Sequence, residues 1–465
     1  MDCSANLFGR WGKPAIDTPT PPYRTALALE PGKPDTPPIP GVEYRPWYRW
    51  AIYVVANLAF AIGVTLAGLG VIVPDLMRDL SIQARQVGFL ISVYSCVYAA
   101  MQIPGGILAD RIGPRKVISS SIFIGAIGVL IFSQAPNFAI SIVGRVFTAL
   151  GVSVLYVNQI KVLRGWFAPE EFATALGVAS SINAAGSILA TLGTAASVTK
   201  FGWRSSFAFI GFLDILVGLA CWVIIRNENP NWARKREISS EKRPSILLAL
   251  KTCFGNSQFI LLFFVALFSY GGLTGVFVAW GMSFLMQGYH LYRMTAALLM
   301  TGTSIFSLLS APFWGRLSDK WLHARKPVLI MGLTGSVLAI TPLAALANHL
   351  TIILLGITLS IMGLFTSTFV LSYAMANELV PIGIAGIASA GLNMGPYIGQ
   401  GIYQFISGLI LGNPASIAAD GTPIYSIQAY QMIFWPSVIS GIIAIFLSLR
   451  VRETIRRSKN LDMVS

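Results

Sequence analysis

The stretch Gly106-Ile-Leu-Ala-Asp110-Arg111-Ile-Gly113-Pro-Arg115-Lys116 lies between two long apolar runs of the 465-residue chain. A second stretch, Gly-Arg-Leu-Ser-Asp-Lys-Trp-Leu-His-Ala-Arg-Lys at residues 315–326, repeats its pattern later in the chain. In both copies a Leu follows the Gly by two residues, an Asp follows that Leu by two, and an Arg-Lys pair ends the stretch. The chain is therefore predicted to consist of two related halves.

The composition is that of a membrane protein. Hydrophobic residues make up 55% of the chain, charged residues make up 11%, and the mean hydropathy is +0.68. That is too little charge to cover a soluble protein of this size. The net charge of +14 is spread between apolar runs and forms no compact basic patch with interleaved aromatic residues. We expect the partners to be a lipid bilayer and a small-molecule substrate, with no nucleic acid, and we expect a monomer.

Twelve apolar runs are long enough to cross a bilayer as helices of about 20 residues. They predict an all-α integral membrane protein with two pseudo-symmetric six-helix domains, at residues 47–225 and 258–449. We expect a disordered Pro-rich tail at 1–46, an inter-domain loop at 226–257 and a basic tail at 450–465. The twelve runs are 50–73, 87–108, 117–133, 139–160, 173–198, 206–225, 259–285, 295–317, 328–346, 351–374, 384–411 and 428–449.

Lys and Arg are distributed unequally between the two ends of these predicted helices. The tails and the loops after even-numbered helices contain 27 of them, whereas the opposite loops contain five. Because positive residues collect in cytoplasmic loops, both tails and the inter-domain loop are predicted to be cytoplasmic. Short loops without an Asn-x-Ser/Thr sequon favour a bacterial plasma membrane, that is, an inner membrane.

The first copy of the repeat matches a known signature position by position. The sequence resembles the major facilitator superfamily of secondary transporters, whose loop between helices 2 and 3 reads Gly-x-Leu-x-Asp-Arg-x-Gly-x-Arg-Lys. The resemblance covers roughly residues 50–449, and the second copy departs from it by one extra residue and by lacking the later Gly. It implies two domains that rock about a central substrate, with this loop as a conformational latch. The latch residues would be Gly106, Asp110, Arg111, Gly113, Arg115 and Lys116, with Asp319 and Arg325 in the second copy.

An alternative for this loop is that Arg115 and Lys116 only anchor the helix to anionic lipid. The seven matching positions of the first copy favour the latch.

Two charged residues lie well inside predicted helices, away from the helix ends. Arg145 is about 10 Å deep in helix 4 at 1.5 Å per residue, where a charge costs roughly 2.5 to 3.5 kcal/mol. Asp214 lies at a similar depth in helix 6, so we hypothesise a buried pair that either titrates during transport or ties the two helices together. Arg145 also begins a second family signature, although Ala149 replaces its usual first Gly. The resemblance links that Arg to proton coupling or an anionic substrate, and a structural role is the alternative.

Further polar and aromatic side chains lie in runs that the resemblance assigns to the substrate cavity. Lys161, at the cytoplasmic end of helix 4, either extends to the lipid head groups or adds a second positive charge to the cavity. Each of the others alone is more often a packing residue than a ligand, but together they predict a hydrogen-bonding pocket. They are Asn57, Tyr94, Tyr98, Gln102, Asn158, Asn183, Tyr270, Trp280, Asn393, Tyr397 and Gln400.

The sequence contains no enzyme signature. Phosphate-binding loops and zinc-protease motifs are missing, and the four cysteines have no paired spacing, so we expect neither a cofactor nor a metal. We therefore expect an ion gradient, most simply of protons, to drive symport of a small polar or anionic organic solute by alternating access. One competing interpretation is proton-driven efflux of drugs or metabolites. The other, from a different class, is a non-transporting sensor or scaffold that works through its Pro-rich tail.

Overall fold

The computed structural model describes residues 47–67, 69–167, 169–227 and 246–455. The Pro-rich tail, residues 228–245 of the inter-domain loop and residues 456–465 of the basic tail lie outside these ranges. The predictions made for those segments therefore stay predictions.

The described residues form long helices, which we number α1 to α12 in chain order. The first half contains α1 (Tyr48–Ala67), α2 (Ala84–Ile112), α3 (Pro114–Ser133), α4 (Phe138–Trp166), α5 (169–201) and α6 (203–224). The second half contains α7 (Ser257–Gly288), α8 (Arg293–Trp321), α9 (Lys326–His349), α10 (Ile352–Glu378), α11 (Ala385–Leu411) and α12 (Ile427–Arg450).

Nine stretches of the described residues are long and apolar enough to cross a bilayer. One of them, Thr174–Ile224, contains both α5 and α6, which meet at Gly202 in a non-helical conformation with φ of 77°. Of the other two long helices, α11 coincides with its predicted run and α1 overlaps the first run over most of its length. The all-α membrane fold is thus confirmed, with its helices in the predicted order, whereas the two-domain boundary stays a prediction.

The first predicted run extends too far. It was expected to reach residue 73, but α1 ends at Ala67, and a 3-10 turn at Gly70–Ile72 leads into a short helix, Val73–Asp79. Pro74 lies in the first turn of that short helix, where the missing N–H of proline costs nothing. The apolar run therefore extends from one helix into the start of a second, and hydropathy alone does not separate the two.

Loops between successive helices collect at two faces of the molecule. One contains an antiparallel hairpin of β1 (Ser416–Ile417) and β2 (Pro423–Ile424), between α11 and α12, and we call it the hairpin face. The loop between α1 and α2 lies there too. The opposite face contains both copies of the repeat, and we call it the motif face.

Glycines bring α3 and α4 into direct backbone contact. A Cβ atom on Gly128 would lie 2.7 Å from the carbonyl oxygen of Gly144, and one on Gly144 would lie 2.6 Å from the backbone nitrogen of Phe132. Real side chains do not approach that closely, so these positions accept only glycine. Because Arg145 follows Gly144, this contact also fixes where the arginine lies.

At the motif face, a side chain from the end of each half caps the helix that follows the repeat. Asn227 Oδ1 accepts the backbone N–H of Arg115 at 3.0 Å. In the second half Glu453 accepts the backbone N–H groups of Arg325 at 2.9 Å and Lys326 at 3.0 Å. These contacts satisfy amides that a helix start leaves without partners.

The cap at Glu453 predicts a pH-dependent contribution to stability. Burial raises the pKa of Glu453, but hydrogen bonds from the backbone amides of Arg325, Lys326, Ile455 and Thr454 together hold it below its usual range. A carboxylate of lowered pKa stabilises the fold above its unfolded pKa of about 4.3 and loses that contribution as the pH falls through its folded value. We therefore expect Glu453→Gln to melt below wild type at pH 7, and the difference to shrink below about pH 4.

Thermal melts in detergent at both pH values measure this difference. Glu171→Gln is the control, because Glu171 makes an exposed ion pair with Arg49 and no helix cap. A melting difference for Glu453→Gln that does not change with pH would contradict the assignment.

Candidate functional site

Three side chains spaced four residues apart lie on one face of α2. Tyr94, Tyr98 and Gln102 are all buried, and a spacing of four places them one above the other along the helix. Tyr98 stacks on Tyr397 of α11, with ring centres 3.9 Å apart and planes inclined by 25°. The middle of this face therefore forms a direct contact between the two halves of the chain.

Amide groups continue this contact one helical turn toward the motif face. Gln102 Oε1 accepts a hydrogen bond from Asn393 Nδ2 at 2.8 Å, and Gln102 Nε2 donates to the carbonyl of Ser153 in α4 at 3.1 Å. The hydroxyl of Tyr373, in α10, donates to Asn393 Oδ1. Residues from α2, α4, α10 and α11 thus form one hydrogen-bonded cluster near the middle of the molecule.

Toward the hairpin face, α2 and α11 approach until their backbones touch. Ser95 Oγ donates to Gln404 Oε1 at 2.8 Å. A Cβ atom on Gly88 would lie 2.7 Å from the carbonyl oxygen of Gln404 and 3.1 Å from the Cα of Gly408. This part of the interface leaves no room for a solute.

Ion pairs complete the closure at the hairpin face. Arg293, at the start of α8, pairs with Asp75 of the short helix Val73–Asp79. Arg78 of the same short helix lies 3.6 Å from Asp75 and 3.6 Å from Asp420 in the β1–β2 turn. Tyr425, just after β2, accepts the backbone N–H of Ala84 at 3.0 Å. The hairpin therefore binds the first half of the chain across this face.

Asp75 is enclosed by several charges. Burial raises its pKa, the guanidinium groups of Arg293 and Arg78 lower it, and the neighbouring Asp79 raises it. Burial is the largest effect and the pKa lies above its usual range. The charged form of Asp75 thus depends on both arginines for its stability in this closed arrangement.

The predicted latch residues at the motif face pair within their own halves. Asp110 pairs with Lys161 of α4 at 2.9 Å, and Lys161 Nζ also donates to the carbonyl of Gly106 at 2.8 Å. In the second copy, Arg325 pairs with Asp319 and with Glu378 of α10. The ammonium of Lys161 thus binds the repeat loop, and both roles predicted for it, at the lipid head groups and in the cavity, stay predictions. The latch itself stays a prediction.

The remaining latch residues shape the same loop. Gly113 ends α2 with φ of 84°, a conformation that favours glycine. Arg115 donates from its guanidinium to the carbonyl of Trp222 in α6 at 2.7 Å. Arg111 and Lys116 are exposed, and of these two the lipid-anchor alternative involves Lys116.

A second amide cluster lies inside the first half. Gln159 of α4 donates to Asn57 Oδ1 of α1 at 2.7 Å, and Asn183 of α5 donates to Gln159 Oε1 at 3.4 Å. Asn158 was predicted for this site, but its amide donates to the carbonyl of Val154 in its own helix. A change of one residue rotates the side chain by about 100° around a helix, so Gln159 faces the cluster instead.

Arg145 is buried against aromatic rings. It is 1% exposed, and its Cζ atom lies 4.6 Å from the ring centre of Tyr94 and 5.9 Å from that of Phe132. Both distances are within the range of a cation–π interaction. The positive charge therefore lies behind Tyr94, one helical turn from the stacked pair Tyr98 and Tyr397.

The hypothesised pair between Arg145 and Asp214 is wrong. Asp214 is buried, but its Oδ2 atom has no hydrogen-bond partner and no salt bridge joins it to Arg145. The reason is the position of α3. Gly211 packs α6 against Leu130 of α3, whereas Gly128 packs a different face of α3 against α4. The two charged side chains are thus on helices that α3 separates.

The other predicted cavity residues differ in their exposure and contacts. Trp280 is buried and donates to Ser407 Oγ of α11 at 2.8 Å, a packing contact within the second half. Tyr270 is 37% exposed and stacks on Phe369 at 4.7 Å. Gln400 lies 3.5 Å from Thr274 in α7.

Sequence reasoning missed three members of the site, Tyr373, Gln159 and Gln404. Each is a polar residue in an apolar run, which is the signal that selected the others. All three lie in predicted cavity helices and could have been found in this way.

Comparisons with known proteins agree with this geometry. The chain matches the profile of the Major Facilitator Superfamily over residues 55–281 and 262–463. It is 25% identical over 363 residues to the riboflavin transporter RibZ of Clostridioides difficile (strain 630), covering 69% of this chain and 79% of the relative. It is 21% identical over 415 residues to the probable galactarate/D-glucarate transporter GudP of Escherichia coli (strain K12), covering 82% and 90%.

Solved structures show the same fold. A bacterial homologue of the human lysosomal transporter Spinster, in an inward-facing and unoccupied conformation, is similar with a TM-score of 0.71 at 18% identity. The similarity covers 87% of this chain and 97% of that one.

Proposed function

Because this chain belongs to the Major Facilitator Superfamily and is a membrane transporter, we propose that it moves a small polar or anionic organic solute by alternating access. We propose that this movement is symport with protons. The solute binds at mid-depth, where Tyr98, Gln102, Asn393 and Tyr397 join the two halves.

The observation that carries this proposal is the one-sided contact between the halves. From the stacked pair Tyr98 and Tyr397 to the hairpin face, α2 and α11 touch and ion pairs cross between the halves. At the motif face the pairs of the repeat, Asp110 with Lys161 and Arg325 with Glu378, lie within each half. A carrier closed toward one side of the membrane has such an arrangement.

The buried charge of Arg145 supports an anionic solute. A guanidinium at this depth is costly unless charge or aromatic faces compensate it, and its field extends to the polar cluster one turn away. The relative GudP is named for galactarate and D-glucarate, which are anions of sugar acids. A solute of this kind has carboxylates for a positive field and hydroxyls for the amides of Gln102 and Asn393.

The orientation follows from the charge distribution. We propose that the motif face, with its excess of Lys and Arg, faces the cytoplasm of a bacterial cell, together with both tails. The hairpin face is then the outer face, and this conformation is open toward the cytoplasm.

Uptake by the purified full chain in proteoliposomes tests the proposal. We expect accumulation of labelled D-glucarate, and little of D-glucitol, which has the same carbon skeleton without the charge. Arg145→Met should lower the initial rate at least about tenfold, a loss of about 1.4 kcal/mol. Arg145→Lys keeps the charge and should retain more of the rate than Arg145→Met. A protonophore should abolish accumulation driven by an imposed pH gradient.

Three outcomes would contradict parts of this function. Equal uptake of D-glucarate and D-glucitol would exclude selection for an anion. Accumulation that survives the protonophore would exclude proton coupling. Transport of lipophilic cations in place of these solutes would favour the efflux interpretation. Deletion of residues 1–40 should leave uptake intact, which a scaffold that works through its tail would not.

A further inference from the structure

We propose that Tyr98 and Tyr397 form a binding slot for a flat ring, and that the preferred solute is an anion that carries a planar aromatic ring. This inference rests on the proposed function, because it names the substrate class for the same mid-depth site.

The first argument is the geometry of the stack. The two rings are nearly parallel, with centres 3.9 Å apart, which is shorter than the usual range of about 4.5 to 7 Å for aromatic pairs. Tyr98 is 5% exposed, whereas Tyr397 is half-buried. The Tyr98 ring is thus enclosed by protein, whereas the Tyr397 ring is only partly covered.

The second argument is that the two rings belong to opposite halves of the chain. Tyr98 is the fifteenth residue of α2 and Tyr397 the thirteenth residue of α11, both near the middle of their helices. When the hairpin face opens, α2 and α11 separate, and the distance between the rings increases with them. A separation of about 7 Å accommodates one flat ring between the two, since stacked rings lie roughly 3.5 Å apart. In the stack seen here, the two tyrosine rings therefore occupy the slot by contacting each other directly, with no solute between them.

The third argument is the chemistry around the slot. One turn away along α2, Tyr94 lies against the buried charge of Arg145. One turn in the other direction, Gln102 and Asn393 form an amide pair that joins the halves. The slot thus has a positive field at one end and hydrogen-bonding amides at the other, which suits a ring with a carboxylate on one side and a polar substituent opposite.

Aromatic side chains continue from the slot to a partly exposed tyrosine, Tyr270. Tyr373 bonds to Asn393 and packs edge-on against Phe369, with ring centres 5.0 Å apart. Phe369 in turn stacks on Tyr270, which is 37% exposed. A flat solute can exchange one stacking partner for the next along this series.

Binding of benzoate and cyclohexanecarboxylate to the purified full chain, measured by titration calorimetry at pH 7.5, tests the slot. The two anions have the same charge and carbon number, but only benzoate is flat. We expect benzoate to bind about tenfold more tightly. Tyr397→Leu should remove this preference by weakening benzoate alone, and Tyr397→Phe, which keeps the ring, should retain it.

Equal affinity for the two anions in the wild-type protein would overturn the inference, and this comparison does not depend on any variant folding. A Tyr397→Leu effect of equal size on both anions would also overturn it, because that result is expected from loss of packing alone. If D-glucarate uptake depends on Arg145 while benzoate does not bind, the slot is wrong and the proposed function stands. If benzoate shows the expected preference but no anion is transported, the slot stands and the proposed function is wrong.

Discussion

Gly128→Ala is expected to prevent or severely destabilise folding, whereas Gly177→Ala is expected to be harmless. The added methyl group on Gly128 would lie 2.7 Å from the carbonyl oxygen of Gly144, and backbone cannot rotate away as a side chain can. The helices α3 and α4 would have to separate, at a cost of about 3 kcal/mol or more. Around Gly177, in α5, a methyl group would meet nothing within 4 Å.

Size-exclusion profiles and thermal melts of the two variants in detergent measure this difference. Both substitutions add the same methyl group to a membrane helix, and alanine favours a helix by about 1 kcal/mol over glycine. Gly177→Ala should therefore melt at or slightly above wild type. Equal melting of the two variants would show that the α3–α4 contact is looser than described.

Removal of Arg293 is expected to open the hairpin face. In Arg293→Ala the carboxylate of Asp75 remains enclosed with only Arg78 nearby, and a buried charge that loses a partner is strongly destabilising. The closed arrangement should lose at least about 1.4 kcal/mol relative to the open one, a tenfold shift. The labelling rate of Ser92→Cys by an impermeant maleimide, in a background without native cysteines, reports this opening from the hairpin face. Ser92 is 7% exposed and lies next to α11 at Gly401.

Acidity and a second substitution distinguish this cause from a general loss of packing. Without Arg293, the pKa of Asp75 rises further, since burial already raises it and Arg293 opposes that effect. Asp75 then becomes neutral as the pH falls, so labelling should slow in acid by more than it does in the Ser92→Cys protein that keeps Arg293, where only the thiolate fraction falls. Asp75→Asn combined with Arg293→Ala removes both charges and should also restore slow labelling at neutral pH.

Arg49→Ala is the matched control, because it breaks the exposed ion pair with Glu171 inside the first half. Exposed pairs contribute roughly 1 kcal/mol or less, and this one does not join the two halves. Fast labelling in the double variant at neutral pH would mean that Arg293 closes the face by its shape and not by its charge.

The helices could be predicted because each apolar run is long enough, as a helix, to cross a bilayer. This comparison of lengths needs no knowledge of how the helices pack. The direction of each side chain could not. Asn158 and Gln159 are adjacent residues of similar chemistry. The side chain of Asn158 bonds within its own helix, whereas the side chain of Gln159 joins α1 to α5. The choice depends on the rotation of the second segment of α4, Leu155–Trp166, which the sequence does not report.

Contacts between residues far apart in the chain could not be predicted from the sequence either. Arg145 and Asp214 have similar depths, and depth is what the sequence reports, but α3 separates their helices. The contact of Gln102 with Asn393 joins positions 291 residues apart. Each of the two residues could be selected as a polar group in an apolar run. To predict that they pair, however, one must know the register of α2 against α11.

The two helix caps at the motif face show how a duplicated chain diverges. The amide of Asn227 and the carboxylate of Glu453 accept the same backbone N–H of each repeat, that of Arg115 and that of Arg325. The two capping residues differ in charge and in residue type, so a search by residue identity would not relate them. The shared requirement is an acceptor that reaches back from the end of the sixth helix of each half. The two capping positions no longer share the residue type that would show their common origin. The backbone N–H group that must be capped has kept its position in both repeats, and it still relates them.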